Sequence, residues 1–413
     1  MTPADTERPA AVVVGLDNIT GLQTARILSE RGVRVFGIVA NPRHWAAHTN
    51  ACVDIVAAPS FGDGLVQTLT SLAERLSTAA VLLPCTDQTV MTLSRHREEL
   101  APAFRLALAP EDVLETMIDK RLFAEHARSV GLAVPRTEIL SDKQEAERVS
   151  MRIDYPAVIK PPSKVESWLR HTSAKAIRVR NREELLATYD EVAEWAPGLL
   201  AQEWVEGGED RLISCNCYFD ASGRPLVTFV ARKVRQWPPG VGTSSSGEEC
   251  RDDEALELTL KLFGSVGFHG LGYLEMKRDD RTGRLVIIEP NVGRPTGRSA
   301  IAEAGGVELI FTAYCDAAGL PLPTEREQHY SGARWVDVRR DLQAALVARR
   351  DGRLTMSEWL SWMRGPKAHA IWSRHDVKPF AVDLVRATAV ALRRHWPPLR
   401  HGRKNRPTGA SVP

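Results

Sequence analysis

The 413-residue sequence lacks the patterns that mark several common protein classes. It has six cysteines but no CxxC pair, so we expect reduced thiols in the core and no zinc site. Its 54 basic and 52 acidic residues nearly balance, and no bulk charge therefore favours nucleic acid or an anionic membrane. No apolar run is long enough to span a bilayer, and residues 1–9 lack the order of a signal peptide. We expect a globular, cytoplasmic protein with neither nucleic acid nor membrane as a partner.

A glycine-rich dinucleotide fingerprint is also absent. Residues 15–21, GLDNITG, follow the first apolar run but do not form GxGxxG. No acidic residue closes the second predicted strand, so a nicotinamide-dependent oxidoreductase is not favoured. We predict instead that Gly15 and Gly21 have a structural role in this turn.

Strands and helices alternate in the first hundred residues. Strands are predicted at 11–14, 33–39 and 79–83, and helices at 22–31, 64–76 and 88–100. This alternation is typical of a parallel sheet with helices on both faces, whose ligands bind beyond the carboxyl ends of the strands. The polar residues at those ends should line one crevice. They are Asp17, Asn18 and Thr20 after the first strand, and Cys85, Thr86 and Asp87 after a later one.

The rest of the chain mixes strands and helices less regularly. Strands are predicted at 157–160, 199–204, 211–219 and 226–234, and helices at 117–130, 182–194, 254–266, 342–349 and 381–395. Residues 397–413 are polar and basic with few apolar residues, so we expect a disordered tail.

The most informative segment is an apolar run that ends in two oxygen-bearing side chains. Residues 285–291 are predicted as a buried strand, on which Glu289 and Asn291 project from the same face. A strand around Glu275 would return beside it through a turn at 279–283. Carboxylate and carboxamide oxygens are ligands that Mg²⁺ prefers, and a buried carboxylate is costly unless it is paired or metal-bound. The alternative is that both side chains lie at an exposed strand end and bind no metal.

Two lysines and one strand end are candidates for nucleotide contacts. Lys160 closes an apolar strand just before two prolines, where its ammonium could meet a phosphate, although surface lysines are common at such positions. Lys120 lies at the start of a helix and indicates nothing alone. Residues 202–209 begin as an apolar strand and break at two glycines, so their backbone could hydrogen-bond a purine while Glu209 accepts from ribose. A plain hairpin exit is the alternative.

Basic residues near the predicted metal strand could contact an anionic substrate. Lys233 and Arg235 alternate on one strand, so we expect them to share a face where they could neutralise a phosphoryl group. Exposed edge charges are the alternative. Arg294 and Arg298 follow Asn291 in a glycine-containing loop, and arginine suits a carboxylate or an acyl phosphate through bidentate hydrogen bonds.

Taken in order, these segments resemble the ATP-grasp superfamily, in its carboxylate–amine ligase branch. The resemblance covers roughly residues 110–320 and rests on the order Lys120, Lys160, 202–209, Glu275 and 289–291. Residues 232–239 and 242–244 are similar to the subgroup of D-aspartate ligase and carbamoyl-phosphate synthase.

The resemblance implies an α/β and α+β fold. A Rossmann-like parallel α/β domain would come first, followed by an ATP-grasp fold of two α+β subdomains and a C-terminal helical extension. The implied limits are 1–112 for the first domain, 113–323 for the ATP-grasp domain with subdomains 113–200 and 201–323, 324–396 for the extension and 397–413 for the tail.

The resemblance also implies roles for single residues. The residues expected to bind ATP are Lys120, Lys160, Gln202, Glu203, Trp204, Val205 and Glu209. Two Mg²⁺ ions, or Mn²⁺ in their place, would be bound by Glu275, Glu289 and Asn291. The residues expected to take part in catalysis are Lys233, Arg294 and Arg298. The lysines of the first set would contact phosphates, 202–205 would line adenine and Glu209 would hold ribose. Many relatives cover the triphosphate with a glycine-rich flap, but residues 161–175 contain no glycine, so Ser163, Ser173 or Lys175 would supply its contacts.

The activity that the resemblance implies is ATP-dependent ligation of a small-molecule carboxylate to an amine. The carboxylate would be activated as an acyl phosphate, with Lys160 and Lys233 balancing charge and the two arginines holding the acid. Residues 240–250 and the crevice near Asp17 would select the substrates, and a homodimer is common in the family. The alternatives are an ATP-grasp kinase and an ATP-binding protein with reduced catalysis.

Overall fold

The computed structural model describes residues 8–162, 166–172, 174, 176–196, 198–240, 242–365 and 367–395. Within these ranges the strands form three sheets that follow one another along the chain. Short 3₁₀ turns lie at Trp45–His48, Ala193–Trp195 and Glu209–Arg211. No helix in the described ranges has both the length and the apolar character needed to cross a bilayer.

The first sheet is parallel, as the alternation of elements predicts. Its elements are β1 (Ala11–Val14), α1 (Ile19–Glu30), β2 (Val35–Val39), β3 (Asp54–Ala57), α2 (Asp63–Ala73), β4 (Ala80–Pro84), α3 (Asp87–Arg95), α4 (Arg97–Leu100) and β5 (Phe104–Arg105). The strand order is β3-β2-β1-β4-β5, and every pair is parallel. The helix predicted at 88–100 is two helices, because His96 leaves helical geometry between them (φ −100°, ψ 21°).

The turn after β1 requires both of its glycines, as predicted. Gly15 has a φ of +85°, a conformation that L side chains rarely adopt. A Cβ at Gly21 would lie 2.4 Å from the Gly15 carbonyl oxygen. The glycines therefore allow α1 to begin close against the end of β1.

The second sheet is antiparallel and has its own apolar core. Its region contains α5 (Glu111–Ile118), α6 (Lys120–Ser129), β6 (Thr137–Leu140), α7 (Lys143–Ser150), β7 (Ala157–Lys160), α8 (Glu166–His171), β8 (Ile177–Val179), α9 (Arg182–Val192) and β9 (Leu199–Glu203). The strand order is β6-β9-β7-β8. The helix predicted at 117–130 is interrupted, because extended Asp119 ends α5 and its side chain caps α6. Lys120 is therefore the first residue of α6.

The third sheet has seven strands and contains the predicted metal hairpin. Its region contains β10 (Leu212–Phe219), β11 (Pro225–Trp237), β12 (Thr243–Glu249), α10 (Asp253–Ser265), β13 (Gly270–Arg278), β14 (Leu285–Val292), α11 (Ala300–Ala304), α12 (Leu309–Ala318), β15 (Arg334–Val336), α13 (Val338–Arg350), α14 (Met356–Trp362), β16 (Lys367–His369) and α15 (Lys378–His395). The order is β14-β13-β10-β11-β12-β15-β16, antiparallel except between β15 and β16.

Two parts of the third sheet differ from expectation. Residues 240–250, expected as a substrate loop, mostly form β12, because they pair with β11 on one side and β15 on the other. The segment 324–396 has the predicted helices, and it also adds β15 and β16 to the sheet. The predicted domain limits stay a prediction.

The two faces of the third sheet pack on different layers. One face contributes Cys215 and Leu274 to a core shared with α10 and with the opposite face of the first sheet. The other contributes Phe229 and Leu271 to a core shared with α11, α12 and the first sheet. Since side chains alternate along a strand, the face of β13 that carries Leu271 also carries Glu275. We call this second face the site face.

Candidate active site

The pair β13–β14 brings the three predicted metal ligands to the site face. Glu275 lies directly opposite Glu289, and Tyr273 lies opposite Asn291, which is the hairpin arrangement that the sequence predicts. Glu289 is exposed, and not buried as the sequence interpretation assumed, because β14 is an edge strand. Glu275 is the more buried carboxylate, with its side chain 15% exposed. Among the described residues no group of three or more His, Cys, Asp or Glu side chains could hold a metal, so this set relies on a carboxamide.

Glu275 is the centre of a buried charge network. Its Oε1 accepts a hydrogen bond from Lys233 Nζ (3.2 Å) and its Oε2 accepts one from the Tyr273 hydroxyl (2.7 Å). Burial would raise the pKa of Glu275, but the charges of Lys233 and Arg298 and the Tyr273 hydrogen bond outweigh it and lower the pKa to about 2. The carboxylate is therefore ionised at neutral pH and able to attract a cation.

Arg298 lies on the site face, and one of its two terminal nitrogens is hydrogen-bonded to protein groups. Nη2 donates to the Tyr273 hydroxyl (2.9 Å) and to Ser214 Oγ (3.3 Å). Nη1 is buried and has no hydrogen-bond partner in the described ranges, so it can donate to an anion. The guanidinium packs over Gly247, where a Cβ would lie 3.1 Å from Nη1.

Arg235 does not join Lys233 on the site face, contrary to expectation. The pairing of β11 with β12 shifts on both sides of Arg235, so the alternation of side chains is interrupted there. Its guanidinium instead makes two contacts of 2.8 Å with Asp341 of α13 and lies 4.7 Å from the centroid of the Trp362 ring. The charge of Arg235 therefore serves the packing of α13 and α14.

Each nitrogen of the Arg294 guanidinium donates to a protein group. Nε donates to Asp87 Oδ1 (2.5 Å) and Nη2 donates to Asn291 Oδ1 (2.6 Å). Nη1 donates more weakly to the Pro295 carbonyl oxygen (3.4 Å). Arg294 thus joins the crevice of the first sheet to the site face.

The other crevice residues mostly serve local structure. Asn18 and Thr86 cap α1 and α3, and Asp17 accepts a hydrogen bond from the Asn41 amide. Cys85 is a buried free thiol, as are most of the six cysteines. Thr20 faces the loop after β14, where a Cβ at Gly297 would lie 3.8 Å from Thr20 Oγ1.

Lys160 lies at the end of β7, beside β9. Its Nζ donates to Gln202 Oε1 (2.6 Å), and Gln202 Nε2 donates to Thr137 Oγ1 (2.7 Å). Burial and the charge of Lys120 lower the pKa of Lys160 to about 8, against the opposing charge of Glu289. Lys120 and Glu289 therefore each lie within electrostatic range of Lys160, although the three residues come from separate segments.

Trp204 follows β9 and its ring contacts two cationic side chains. The Trp204 ring centroid is 4.6 Å from Lys277 Nζ and 4.8 Å from the Arg178 guanidinium carbon. Lys277 Nζ also donates to the Val205 carbonyl oxygen (2.8 Å). The Trp204 indole N–H is buried without a hydrogen-bond partner in the described part of the chain.

The two acidic residues of this segment that are expected to contact the nucleotide already have protein partners. Glu203 forms an ion pair with Arg281 (3.1 Å). Glu209 accepts hydrogen bonds from the amides of Gln236 (2.8 Å) and Gly240 (2.9 Å). Glu209 thus holds the end of β11 in place, and a ribose would compete with these amides.

Sequence reasoning missed three residues of the site face. Tyr273 and Lys277 lie two residues on either side of Glu275, so the alternation of side chains along a strand could have identified them. Ser214 could not be found this way, because it reaches the site only by pairing opposite Glu275. The predicted flap contacts at Ser163, Ser173 and Lys175 and the predicted tail at 397–413 lie outside the described residues.

Known proteins resemble this chain in sequence and in fold. No protein-family model matches it. D-alanine–D-alanine ligase of Pseudomonas entomophila is 20% identical over 187 residues, which are 42% of this chain and 54% of that enzyme. The carbamoyl phosphate synthase large chain of Pseudomonas syringae pv. tomato is 26% identical over 152 residues, which are 34% of this chain and 13% of that protein. The chain thus spans about half the length of the first of these curated relatives and less of the second.

Solved structures cover more of the chain. N5-carboxyaminoimidazole synthetase from Staphylococcus aureus superposes with a TM-score of 0.61 at 13% identity, over 78% of this chain and 80% of that one. The biotin carboxylase domain of Hydrogenobacter thermophilus 2-oxoglutarate carboxylase, solved with MgADP, ADP and bicarbonate, gives 0.59 at 16% identity, over 77% and 71%. The fold of this chain is therefore that of these solved enzymes, and it is the fold that the resemblance to the ATP-grasp superfamily implies.

Proposed function

We propose that this protein is an ATP-dependent ligase that activates a small-molecule carboxylate as an acyl phosphate and couples it to an amine. The observation that carries the proposal is the site face. There the ionised Glu275 lies opposite Glu289 and beside Lys233, while Arg298 keeps buried N–H groups for an anion. A cytoplasmic location and a homodimer are part of the same proposal.

The donor set fits Mg²⁺. Glu275, Glu289 and Asn291 offer only oxygen ligands from adjacent strands, which suits a hard cation that takes its remaining ligands from phosphates and water. These three residues would hold two Mg²⁺ ions, which Mn²⁺ can replace. The bound metal would neutralise charge on the phosphates during transfer.

The nucleotide would lie between the second and third sheets. Lys160 and Lys120 are expected to contact the phosphates, because Lys160 is partly buried and its ammonium lies at the polar end of β9. Trp204 and the backbone of 202–205 are expected to contact adenine, with Lys277 supporting both through its bond to Val205. Glu209 is proposed for ribose.

In this reaction the protein mainly positions the reactants and supplies charged groups. A carboxylate oxygen of the acid attacks the γ-phosphorus of ATP, the bond to the bridging oxygen breaks, and ADP leaves. The amine nitrogen then attacks the acyl carbon, phosphate leaves, and the nitrogen loses one proton. Arg298 is proposed to hold the acid through Nη1, while Lys233 places positive charge beside the transferring group.

A direct assay tests this proposal. Purified protein is incubated with Mg²⁺-ATP and a panel of acids and amines, and mass spectrometry detects condensation products while ADP and phosphate are measured. Glu275→Gln should abolish ADP formation. Glu254→Gln, which removes an exposed carboxylate paired with Arg278, is the matched control and should leave it unchanged.

Other outcomes would replace the proposal. ADP formation with a phosphorylated acceptor and no amide would identify a kinase. ATP binding without turnover on any pair of substrates would identify an ATP-binding protein with reduced catalysis. Absence of both ATP binding and ADP formation would remove the ATP-dependent function altogether.

A further inference from the structure

Asp87 lies in the first sheet region but is connected to the candidate metal ligand Asn291. Asp87 is the first residue of α3, and its Oδ1 accepts a hydrogen bond from Arg294 Nε at 2.5 Å. The same guanidinium donates from Nη2 to Asn291 Oδ1 at 2.6 Å. Asp87, Arg294 and Asn291 therefore form one continuous chain of charge-assisted hydrogen bonds across two sheets.

The backbone brings these groups together independently of the ion pair. Gly293, between Asn291 and Arg294, has a φ of +72°. A Cβ at Gly293 would lie 2.7 Å from Val90 Cγ1 and 2.8 Å from Leu108 Cδ2, and both of those side chains are buried in the core. The exit of β14 is thus packed closely against α3, so the backbone of these two elements holds Arg294 beside Asp87, whose side chain is 49% exposed.

The hydrogen bond from Arg294 determines the orientation of the Asn291 carboxamide group. A carboxamide can rotate by half a turn and exchange its oxygen for its NH₂ group. Arg294 Nη2 is a donor, so it favours the oxygen and opposes the rotated form, in which two donors would meet. The oxygen has two lone pairs, and one remains available after the arginine has used the other.

Arg294 in turn depends on Asp87. The Arg294 side chain is 16% exposed, and Asp87 is the carboxylate that accepts from its Nε. Without that partner a long, flexible side chain is free to leave Asn291. The two arginines after β14 therefore differ: Arg294 is engaged at all three nitrogens, whereas Arg298 keeps Nη1 unengaged within the described residues.

We propose that Asp87 is a positioning residue of the metal site: through Arg294 it holds the Asn291 carboxamide oxygen toward the site face. This inference rests on the proposed function, because it assumes that Asn291 binds Mg²⁺. It assigns the first sheet a direct part in forming the metal site, in addition to forming the substrate crevice. It also assigns Arg294 to positioning and leaves the anionic substrate to Arg298.

The test measures the Mg²⁺ dependence of ADP binding and not turnover. The shift in thermal unfolding caused by ADP is recorded as Mg²⁺ is titrated, for the wild-type protein and for Asp87→Asn. The variant should need about tenfold more Mg²⁺ for half of the shift, which is the size of effect typical when a group that orients a metal ligand is removed. Asp87→Glu keeps the charge and should restore most of the Mg²⁺ affinity.

The matched control is Asp63→Asn. Asp63 is the first residue of α2, so its substitution removes the same favourable charge at a helix N-terminus without approaching Arg294. It should leave the Mg²⁺ dependence unchanged. Arg294→Lys, which cannot donate to both partners in the same geometry, should behave like Asp87→Asn and serves as a second variant.

Two failures are distinguishable in this experiment. If Asp87→Asn and Arg294→Lys show the Mg²⁺ dependence of the wild-type protein, Asp87 does not position Asn291 and the inference is wrong while the proposed function stands. If the wild-type protein gains no stability from ADP at any Mg²⁺ concentration, the proposed function fails and the inference fails with it.

Discussion

At the scale of single residues, the charge of Lys160 depends on pH in a range that can be tested. Burial and Lys120 lower the pKa of Lys160 to about 8, so the free protein carries an ammonium there at pH 7 and mostly an amine at pH 9. If Lys160 contacts a phosphate, ADP affinity should fall by about tenfold between those pH values, in proportion to the protonated fraction. Calorimetric titration with Mg²⁺-ADP across this range measures the fall.

Lys160→Arg is the control for this prediction. Arginine stays charged throughout the range, so the fall in ADP affinity above pH 8 should disappear in the variant. A variant that keeps the same pH dependence would show that another group titrates and that Lys160 is not the phosphate contact.

Gly247 provides a second prediction at this scale. A Cβ at Gly247 would lie 3.0 Å from the Arg232 carbonyl oxygen and 3.1 Å from Arg298 Nη1, so Gly247→Ala should displace the guanidinium. With the acid identified by the ligase assay, the KM for the acid should rise about tenfold while the KM for ATP changes little, because the loss corresponds to one charge-assisted hydrogen bond. Steady-state kinetics with each substrate varied in turn measures both constants.

An added methyl group without contacts is the control for Gly247→Ala. A Cβ at Gly264 of α10 would meet no atom within 4 Å, so Gly264→Ala should leave both KM values unchanged. An unchanged KM for the acid in a folded Gly247→Ala protein would show that Arg298 does not bind the acid.

At the scale of elements, local sequence patterns predicted the strands and helices better than they predicted which strands pair over long distances. The parallel sheet and the β13–β14 hairpin follow from alternating apolar runs and a short turn, and these are local properties of the sequence. The irregular pairing that turns Arg235 away from Lys233 arises where β11 meets β12, so no pattern in β11 alone reveals it. The three-residue strands β15 and β16 are likewise defined by their partners.

The packing of α13 on the third sheet yields a prediction for stability. Asp341 is fully buried and accepts hydrogen bonds from Arg235 Nε and Nη2, Ser245 Oγ and Trp359 Nε1. Asp341→Asn keeps the shape but leaves the Arg235 charge uncompensated, so we expect a loss of about 3–5 kcal/mol in the free energy of unfolding. Denaturant unfolding measures this loss.

An exposed ion pair in the same region is the control for the effect of Asp341→Asn on the free energy of unfolding. Asp351 pairs with Arg353 at 2.7 Å, but both side chains are about half exposed. Asp351→Asn should therefore cost less than about 1 kcal/mol. Equal effects of the two substitutions would mean that the Asp341 cluster does not anchor α13.

At the scale of the whole molecule, the segment after β16 closes back on the first helix. Arg26 of α1 donates to Asp376 Oδ2 and to the Asp376 carbonyl oxygen, both at 2.9 Å, and to the Ile371 carbonyl oxygen at 2.8 Å. Asp376 also accepts from Thr49 Oγ1 and the Asn50 amide. These contacts join positions 350 residues apart, so the third sheet region cannot be removed without exposing buried polar groups in the first.

The Arg26–Asp376 pair allows a test of this closure by a double-mutant cycle. Asp376→Asn should lower the free energy of unfolding by about 3–5 kcal/mol, because Arg26 is left as a buried cation without a counter-charge. Arg26→Met is measured alone and together with Asp376→Asn, and in the Asp376→Asn background it should restore part of the loss, since removing the second charge removes that penalty. Asp54→Asn, which breaks the exposed pair with Arg75 in the same sheet, should cost less than about 1 kcal/mol. If the two substitutions at Arg26 and Asp376 are simply additive, the pair is not coupled and the C-terminal segment is held to α1 by its apolar contacts alone.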